Sequence, residues 1–264
     1  MTDVLLRERQ DGLLILTMNR PDRRNALDAD LARSLCDATA AAAEDPSVRA
    51  VLLRGAGGHF CVGGDVKAMN DGKGMDLPTE ERMRSLRARM ETSRHLHQMP
   101  KPTIAAIEGS VAGAGLSLAL ACDFRICAED AKIATAFAKV ALSGDFGGTY
   151  FLSQMLGSAK ARELFLLSPV VSGKEAAALG LVTRAVASGQ VMEEAFALGR
   201  RLAAGPTLTL GRIKQNLALA EAGGSLEACF DQEARNHVLS TETGDHREAA
   251  AAFVEKRQPS FIGA

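Results

Sequence analysis

The sequence predicts an α/β fold, because an apolar strand followed by a glycine-rich turn and a helix-forming segment occurs twice along the chain. The first strand, at 50–53, runs into the glycines that end with Gly64. The second, at 103–107, runs into glycines up to Gly115, and helix-forming residues follow at 116–121. Short apolar runs followed by turn residues are typical of buried strands. The irregular spacing of the two copies argues against a solenoid of repeats.

The N-terminal segment carries clear signals for a hairpin and a helix. Apolar stretches at 4–8 and 13–18 are joined by Asp11 and Gly12, a dipeptide typical of tight hairpins. Asp28 precedes an alanine-rich stretch and is well placed to cap a helix there. We therefore expect two antiparallel strands and then a helix before the first copy of the repeated arrangement.

The segment between the two copies is predicted to be a loop and one helix. The loop, at 66–80, would shape a substrate pocket, since loops over a rigid scaffold often carry binding residues. The charged stretch 80–98 has helical composition, and Pro100 and Pro102 end it.

The length and composition allow one large domain with a helical appendage. The chain has 264 residues, of which 47% are hydrophobic, enough for a full core. From about Gln190 onward the composition is almost entirely helical, with a break at Gly205 and Pro206. We therefore divide the chain into a core at 1–204 and a C-terminal helical region at 205–264 that packs on another subunit.

Charge and hydropathy exclude several classes of function. The formal net charge is −1, which argues against a general basic surface for nucleic acid or anionic membrane. The longest apolar stretch, 111–122, is interrupted by glycines and is too short to span a bilayer. The N-terminus is charged early and has no apolar signal region. These features lead us to expect a cytoplasmic protein.

The cysteines and histidines do not form a pattern typical of metal sites. The five cysteines include no pair spaced as CxxC, and most lie in apolar runs, so reduced, buried thiols are expected. His95 and His97 are two residues apart, which does not place them on one face of a helix. We expect neither a metal nor a cofactor.

The two glycine turns suggest a site for a carbonyl oxygen. A helix N-terminus offers free N–H groups and a partial positive charge, and glycine lets a ligand approach the backbone closely. Two such turns could stabilise the enolate that forms when an acyl thioester loses its α-proton. By spacing alone, the glycines could instead serve only as tight turns. A dinucleotide fingerprint is incomplete, because Leu118 replaces the third glycine.

The motifs together resemble the enoyl-CoA hydratase/isomerase family, also called the crotonase family, over almost the whole chain. The resemblance implies a crotonase-like spiral of ββα units followed by a C-terminal helical trimerisation region, in trimers or dimers of trimers. It also implies an acyl-CoA thioester substrate, with coenzyme A present only as part of that substrate. Six segments carry it in order: NRPDRRNAL at 19–27, FCVGGD at 60–65, KPTIAAIEG at 101–109, GAGLSLALACD at 113–123, FAKVALSGDFGGT at 137–149 and FVEKR at 253–257.

The resemblance also assigns roles to individual residues. The backbone N–H groups of Gly64 and Ala114 would form the oxyanion hole, and Lys256 would reach a phosphate of coenzyme A, of the same or a neighbouring subunit. The remaining substrate-binding and coenzyme A-binding positions are Arg24, Ala26, Val62, Gly63, Asp65, Val66, Ser117 and Phe137.

The family's pair of catalytic glutamates is missing. Hydration needs a base that activates water and an acid that protonates carbon. Ser117 stands at the first glutamate position, and the second falls near Phe137, where there is no carboxylate. The chain instead offers Asp145, in a segment similar to that of the ring-epoxide and enoyl-CoA isomerases of this family. A proline usually precedes that aspartate, whereas here Gly144 does.

One carboxylate is enough for an isomerase. Asp145 would take a proton from one carbon, the oxyanion hole would hold the dienolate, and the same acid would return the proton two carbons away. An apolar wall would raise the pKa of Asp145 and assist both steps. Candidates for that wall are Leu118, Phe137, Leu142 and Phe146.

Other interpretations remain open at this point. Asp145 could instead cap the helix that begins near Gly147. The protein could be an enoyl-CoA hydratase with an unrecognised second acid, or a dehalogenase with Asp145 as nucleophile, although those enzymes carry a tryptophan and this chain has none. A non-catalytic relative that serves in assembly or RNA binding is the candidate from another class.

Overall fold

The computed structural model describes residues 3–70 and 76–264, and nine strands in these ranges form two sheets. The larger sheet has the order β1-β2-β3-β4-β6-β9, and the smaller has the order β5-β7-β8. The strands are β1 (Leu5–Gln10), β2 (Leu13–Met18), β3 (Ala50–Gly55), β4 (Thr103–Ile107), β5 (Ser110–Ala112), β6 (Phe124–Ala128), β7 (Lys132–Ala134), β8 (Val171–Ser172) and β9 (Arg184–Val186).

Helices cover the sheets and make up the C-terminal part. They are α1 (Ala29–Glu44), α2 (Val66–Asn70), α3 (Thr79–Arg89), α4 (Glu91–Gln98), α5 (Ala114–Ala121), α6 (Gly148–Leu167), α7 (Gly173–Ala178), α8 (Val191–Ala203), α9 (Thr207–Glu221), α10 (Leu226–Thr241) and α11 (Gly244–Glu255). Within the described residues, none of them has the length and apolar character needed to cross a bilayer.

The larger sheet is parallel except at its N-terminal edge. The predicted hairpin is present: β1 and β2 pair antiparallel across a turn in which Asp11 has φ 47° and Gly12 has φ 83°. The remaining neighbours in this sheet pair parallel. All six residues of β2 are buried, and α8 packs across β2, β3, β4 and β6. Strands buried in this way read as continuous apolar runs.

The chain winds as repeated units of two strands and a helix. Strands β4 and β5 are followed by α5, and β6 and β7 are followed further along by α6, with the strands of each pair in different sheets. The sequence predicts one strand before the second glycine turn. The structure adds the three-residue β5, which is too short to give a periodic signal.

Helix boundaries agree with the sequence where a cap defines them. Leu31 N–H donates to Asp28 Oδ1 at 2.9 Å, so Asp28 caps α1 as predicted. The predicted single helix at 80–98 is wrong, because α3 and α4 are separate helices that meet at Met90. Helix α3 buries no residue, whereas α4 buries part of one face. Charged composition indicates a helix but gives no information on where packing interrupts it.

The predicted loop at 66–80 is only partly a loop. Residues 66–70 form α2, and α3 starts at Thr79. Residues 76–78 belong to no helix or strand, as predicted, and 71–75 lie outside the described residues.

The C-terminal helices are attached to the core through Arg49. Its guanidinium donates to Gly205 O at 2.6 Å, to Thr207 Oγ1 at 2.9 Å and to Phe261 O at 3.1 Å. The predicted division at 205 falls between α8 and α9. One half-buried cation therefore connects the residue before β3 to both ends of the 205–264 region.

Replacing Arg49 with methionine is expected to lower the free energy of unfolding by about 3 kcal/mol, because three charge-assisted hydrogen bonds are lost. Urea denaturation measures this, and hydrogen exchange should become faster in 205–264. Arg7→Met is the control, since Arg7 makes one exposed hydrogen bond at 3.5 Å. Equal losses in the two variants would contradict the role of Arg49.

Candidate active site

The two glycine turns lie against each other. A Cβ placed on Gly63 would be 3.0 Å from the carbonyl oxygen of Ala112 and 3.4 Å from the backbone nitrogen of Ala114. Gly63 has φ 90° and Gly113 has φ 53°, a region that side chains other than glycine rarely adopt. The glycines therefore do more than allow each strand to turn, because they bring two backbone segments into direct contact.

Backbone pairing orients the N–H group of Gly64. Leu27 N–H donates to Gly63 O at 2.8 Å, and Asp65 N–H donates to Leu27 O at 3.1 Å. These bonds involve the carbonyl of Gly63 and the N–H of Asp65. Because successive groups along a strand alternate in direction, the N–H of Gly64 points away from Leu27. Among the described residues, no backbone or side-chain acceptor receives it.

The second donor comes from the start of α5. Ala114 is the first residue of this helix, so its N–H has no partner within the helix, and no described acceptor outside the helix receives it. A parallel bridge between Cys61 and Val111 connects the two turns. Two free backbone donors thus lie on neighbouring segments, which is the arrangement that an oxyanion hole requires.

Asp145 presents a partly free carboxylate. Its Oδ1 is buried and has no hydrogen-bond partner in the described part of the chain. Burial raises the pKa of Asp145 to about 6, against a smaller lowering by Arg89. The helix-cap interpretation is wrong: Gly147 is the N-cap of α6, with no side-chain capping bond, and Asp145 contributes only its carbonyl, which accepts from Gly148 N–H at 3.1 Å.

The backbone around Asp145 has a conformation that proline cannot adopt. Gly144 has φ 116°, whereas the proline ring fixes φ near −65°. Phe165 of α6 lies beside this turn, 3.5 Å from a Cβ placed on Gly144 and 3.4 Å from one placed on Gly148. This aromatic ring, twenty residues from Asp145, was not identified from the sequence. Gly144 therefore gives this turn a backbone conformation that the proline usual in similar sequences could not adopt.

The other predicted pocket residues surround the same turn. Phe137 is buried and stacks on Phe165, with ring centroids 6.0 Å apart and an interplanar angle of 7°. It also lies 3.8 Å from a Cβ placed on Gly113. Ser117 is buried, and its Oγ lies directly against Gly148. The position of the missing first glutamate is therefore next to the segment that holds Asp145.

The four residues predicted to form an apolar wall for Asp145 differ in burial. Leu118, Phe137 and Phe146 are buried, whereas Leu142 is 46% exposed. The exposure of Leu142 contradicts its assignment to such a wall. The left-handed Ala141, with φ 55°, ends the short turn before it, and this bend leaves Leu142 at the surface.

A cavity of about 400 Å³ brings together six of the predicted positions. Its lining also contains Arg23 and Lys67, which sequence reasoning missed although both adjoin the motifs. The predicted residues that line it are Arg24, Ala26, Val62, Gly64, Asp65 and Val66. The Asp65 carboxylate accepts from Ala68 N–H at 3.2 Å and from Arg20 at 3.1 Å. Because its charge is already paired, a ligand in the cavity would mainly contact the backbone of Asp65.

Six predicted residues do not line this cavity: Gly63, Ala114, Ser117, Phe137, Asp145 and Lys256. Lys256 is the one of them that belongs to the C-terminal helical region. It ends α11 in a left-handed conformation, with φ 55°, and its side chain is exposed. It does not line the cavity that contains Gly64. Among the described residues, no cluster of three or more potential metal ligands is present.

Comparison with known proteins assigns the chain to a family. Residues 8–264 match the profile of the enoyl-CoA hydratase/isomerase family. The chain belongs to this family. It is 36% identical to the 1,2-epoxyphenylacetyl-CoA isomerase of Escherichia coli (strain K12), covering 100% of both chains. It is 31% identical to the crotonyl-CoA hydratase of Syntrophomonas wolfei, covering 98% of this chain and 97% of that protein.

Solved structures confirm the predicted crotonase-like fold. The crystal structure of an enoyl-CoA hydratase from Polaromonas sp. JS666 superposes with a TM-score of 0.91, at 32% identity, over 97% of this chain and 99% of the other. Relatives named as isomerases and as hydratases both match over nearly full length, so family membership leaves the choice of reaction to the site itself.

Replacing Asp145 with asparagine is expected to raise the free energy of unfolding by about 2 kcal/mol at pH 7.5. The folded pKa of Asp145, about 6, lies above the ordinary 3.8, so ionising this carboxyl costs more free energy in the folded state than in the unfolded state. That cost appears as the pH rises above about 4 and is complete above about 6.

Urea denaturation at pH 7.5 and pH 4.5 measures this effect, which should be much smaller at the lower pH. The exposed Asp37 on α1 provides the control, and Asp37→Asn should change neither value by more than about 0.5 kcal/mol. A destabilised Asp145→Asn at pH 7.5 would contradict the assignment of Asp145 as a carboxylate without partners.

Proposed function

We propose that this protein is an acyl-CoA isomerase that moves an enoyl-CoA double bond or opens a ring epoxide, with Asp145 as the proton shuttle. The observation that carries the proposal is a half-buried carboxylate with a buried oxygen that has no partner. Gly148, at the end of the turn that carries this carboxylate, lies against Ser117 of α5, the helix that begins at the donor Ala114. The donors of Gly64 and Ala114 would bind the thioester oxygen.

The chemistry follows from these three groups. Ionised Asp145 removes a proton from carbon, and the electrons move onto the thioester oxygen, where two N–H groups stabilise the negative charge. Protonated Asp145 then returns the proton two carbons away, so no water is activated. A pKa of about 6 suits a group that must act as base and then as acid near neutral pH.

The substrate is held through its coenzyme A part. Arg23, Arg24 and Lys67 line the cavity beside Gly64, and basic side chains of this kind suit the phosphates of coenzyme A. Arg24, Ala26, Val62, Gly63, Asp65 and Val66 keep the coenzyme A-binding roles expected of them. Ser117 and Phe137 are assigned to the acyl side, because Ser117 Oγ lies against Gly148 and Phe137 stacks on Phe165, which packs beside Gly144. No metal or separate cofactor takes part in the proposed reaction.

A hydratase is the second candidate, supported by the crotonyl-CoA hydratase among the relatives. It would require a second acid beside Asp145. Ser117 stands where the family carries a glutamate, and a hydroxyl cannot act as that acid at neutral pH. This favours the isomerase.

We also propose that the protein forms a homotrimer or a dimer of trimers in the cytoplasm, with 205–264 as the packing region. Phe253 is 85% exposed and Val254 is 80% exposed, and exposed apolar patches of this kind usually mark contact surfaces. Leu226, Phe230 and Val238 are each more than half exposed on α10. Lys256 adjoins this surface and would reach coenzyme A bound to a neighbouring subunit.

Purified protein offered a 3-enoyl-CoA is expected to convert it into the 2-enoyl isomer, and Asp145→Asn should lower kcat by about 10²–10⁴-fold, because the proton shuttle is lost. In the native enzyme kcat/KM should fall about tenfold per pH unit below pH 6 as Asp145 becomes protonated. Ultraviolet absorbance of the conjugated thioester measures both.

The Asp37→Asn variant serves as the control for this assay and should retain the native rate. Addition of water to a 2-enoyl-CoA as the main reaction would contradict the isomerase. Isomerisation that persists in Asp145→Asn would contradict the role of Asp145.

The oligomer is tested by Phe253→Asp, which places a charge in the proposed contact. Light scattering after gel filtration should change from a multiple of three chains toward the single-chain mass of 27.8 kDa. Leu6→Asp, at another partly exposed apolar position, should leave the oligomer intact. A native protein that elutes as a monomer would refute the trimer.

A further inference from the structure

We propose that Arg20 is a positioning residue that holds the Gly64 N–H group in place for the thioester carbonyl. The inference rests on the proposed function, because it concerns the same oxyanion hole. Arg20 follows β2, and its side chain is 17% exposed. It does not line the cavity beside Gly64, whereas its neighbours Arg23 and Arg24 do. It lines a neighbouring cavity of about 450 Å³, where its guanidinium is already paired with Asp28 and Asp65.

The guanidinium of Arg20 joins the two segments that pair around Gly64. Its Nη2 lies 3.0 Å from Asp28 Oδ2 and 3.1 Å from Asp65 Oδ2, and its Nη1 donates to Ala26 O. Leu27, between Ala26 and Asp28, makes both backbone bonds that flank Gly64. One cation therefore fixes the residues on either side of Leu27 and the residue directly after Gly64.

Asn25 fixes the backbone of Arg20 in turn. Its Oδ1 accepts from Arg20 N–H at 2.9 Å, and its Nδ2 donates to Ala56 O at 2.9 Å and to His59 O at 2.8 Å. Asn25 is fully buried and has φ 57°, a conformation that persists only where surrounding contacts impose it. The network thus extends from the end of β2 to the residues that lead into the first glycine turn.

Arg20 also controls charge next to the oxyanion hole. Although burial by itself raises it, the pKa of Asp65 lies below its usual range, because Ala68 N–H and Arg20 stabilise the ionised carboxylate. Without Arg20, a buried negative charge would remain one residue from Gly64. That charge would oppose the negative charge that develops on the thioester oxygen.

The second donor has no equivalent clamp. Ala114 N–H is oriented by α5 and by the contact of Gly113 with the first turn. Loss of Arg20 should therefore weaken one donor of the two. Because a polarised carbonyl is needed mainly in the transition state, the loss should lower kcat more than it raises KM.

The test compares Arg20→Gln, Arg20→Lys and the double variant Arg20→Gln/Asp65→Asn with the native enzyme. Two readouts are used: steady-state kinetics with a 3-enoyl-CoA, and the absorption spectrum of bound cinnamoyl-CoA. The absorption of this conjugated thioester moves to longer wavelength when hydrogen bonds polarise its carbonyl, so the spectrum reports the oxyanion hole whichever reaction the enzyme catalyses.

For Arg20→Gln we expect kcat to fall about 10–100-fold with KM within about threefold, and the spectral shift to shrink. Arg20→Lys should recover part of both. The double variant removes the Asp65 carboxylate that Arg20→Gln leaves unpaired, so it should fold even if Arg20→Gln does not. Its cinnamoyl-CoA spectral shift should lie between those of Arg20→Gln and the native enzyme. Arg24→Gln is the matched control and should raise KM while the shift stays native.

A folded Arg20→Gln, or a double variant, with native kcat and native spectral shift would overturn the role of Arg20 and leave the proposed function intact. A rise in KM alone would overturn it in favour of coenzyme A binding. A native enzyme that binds cinnamoyl-CoA without any spectral shift would refute the oxyanion hole, and with it both proposals.

Discussion

Gly63 packs against Gly113 and Ala114, and Gly115 packs against Cys61. A Cβ on Gly115 would overlap the Cys61 carbonyl oxygen, so the two turns can approach this closely only with glycine there. Strand β3 leads toward the first turn and β5 leads into the second, so the order of strands in the two sheets serves to bring these turns together. The bridge from Cys61 to Val111 and the bridge from Leu27 to Gly64 hold this contact from both sides. The site depends on this contact, because two backbone donors can share one oxygen only at such a distance.

The cavity beside Gly64 and the turn that carries Asp145 are built from different parts of the chain. The cavity is formed by residues close in sequence, from the turn after β2 and from the first glycine turn. Asp145 comes from a later turn, which is shaped by its own glycines and by Phe165. Burial without a hydrogen-bond partner is unfavourable for a carboxylate, yet it is what raises the pKa of Asp145 toward neutrality. The buried Oδ1 of Asp145, without a partner, is thus a local cost to the stability of the fold, a pattern common at functional sites.

Much of the fold could be predicted from local signals. The hairpin at Asp11 and Gly12 and the cap at Asp28 follow from residues a few positions apart, and β4 has the predicted bounds. The break at Met90 and the short β5 were missed, because neither has a local signal. The exposed position of Leu142 was missed for a related reason, since its exposure depends on the left-handed turn before it.

The sequence by itself determined which groups are present: two glycine turns, one aspartate before Gly-Gly-Thr, and serine in place of the first glutamate. Only the tertiary structure decided what these groups do. Asp145 lacks a hydrogen-bond partner at Oδ1 because the packing around it supplies none, and Arg20 meets Asp65 from forty-five residues away. Free donors, unpaired acceptors and charge pairs arise from contacts between distant segments. A linear pattern identifies the residues for such contacts, but folding sets the distances between them.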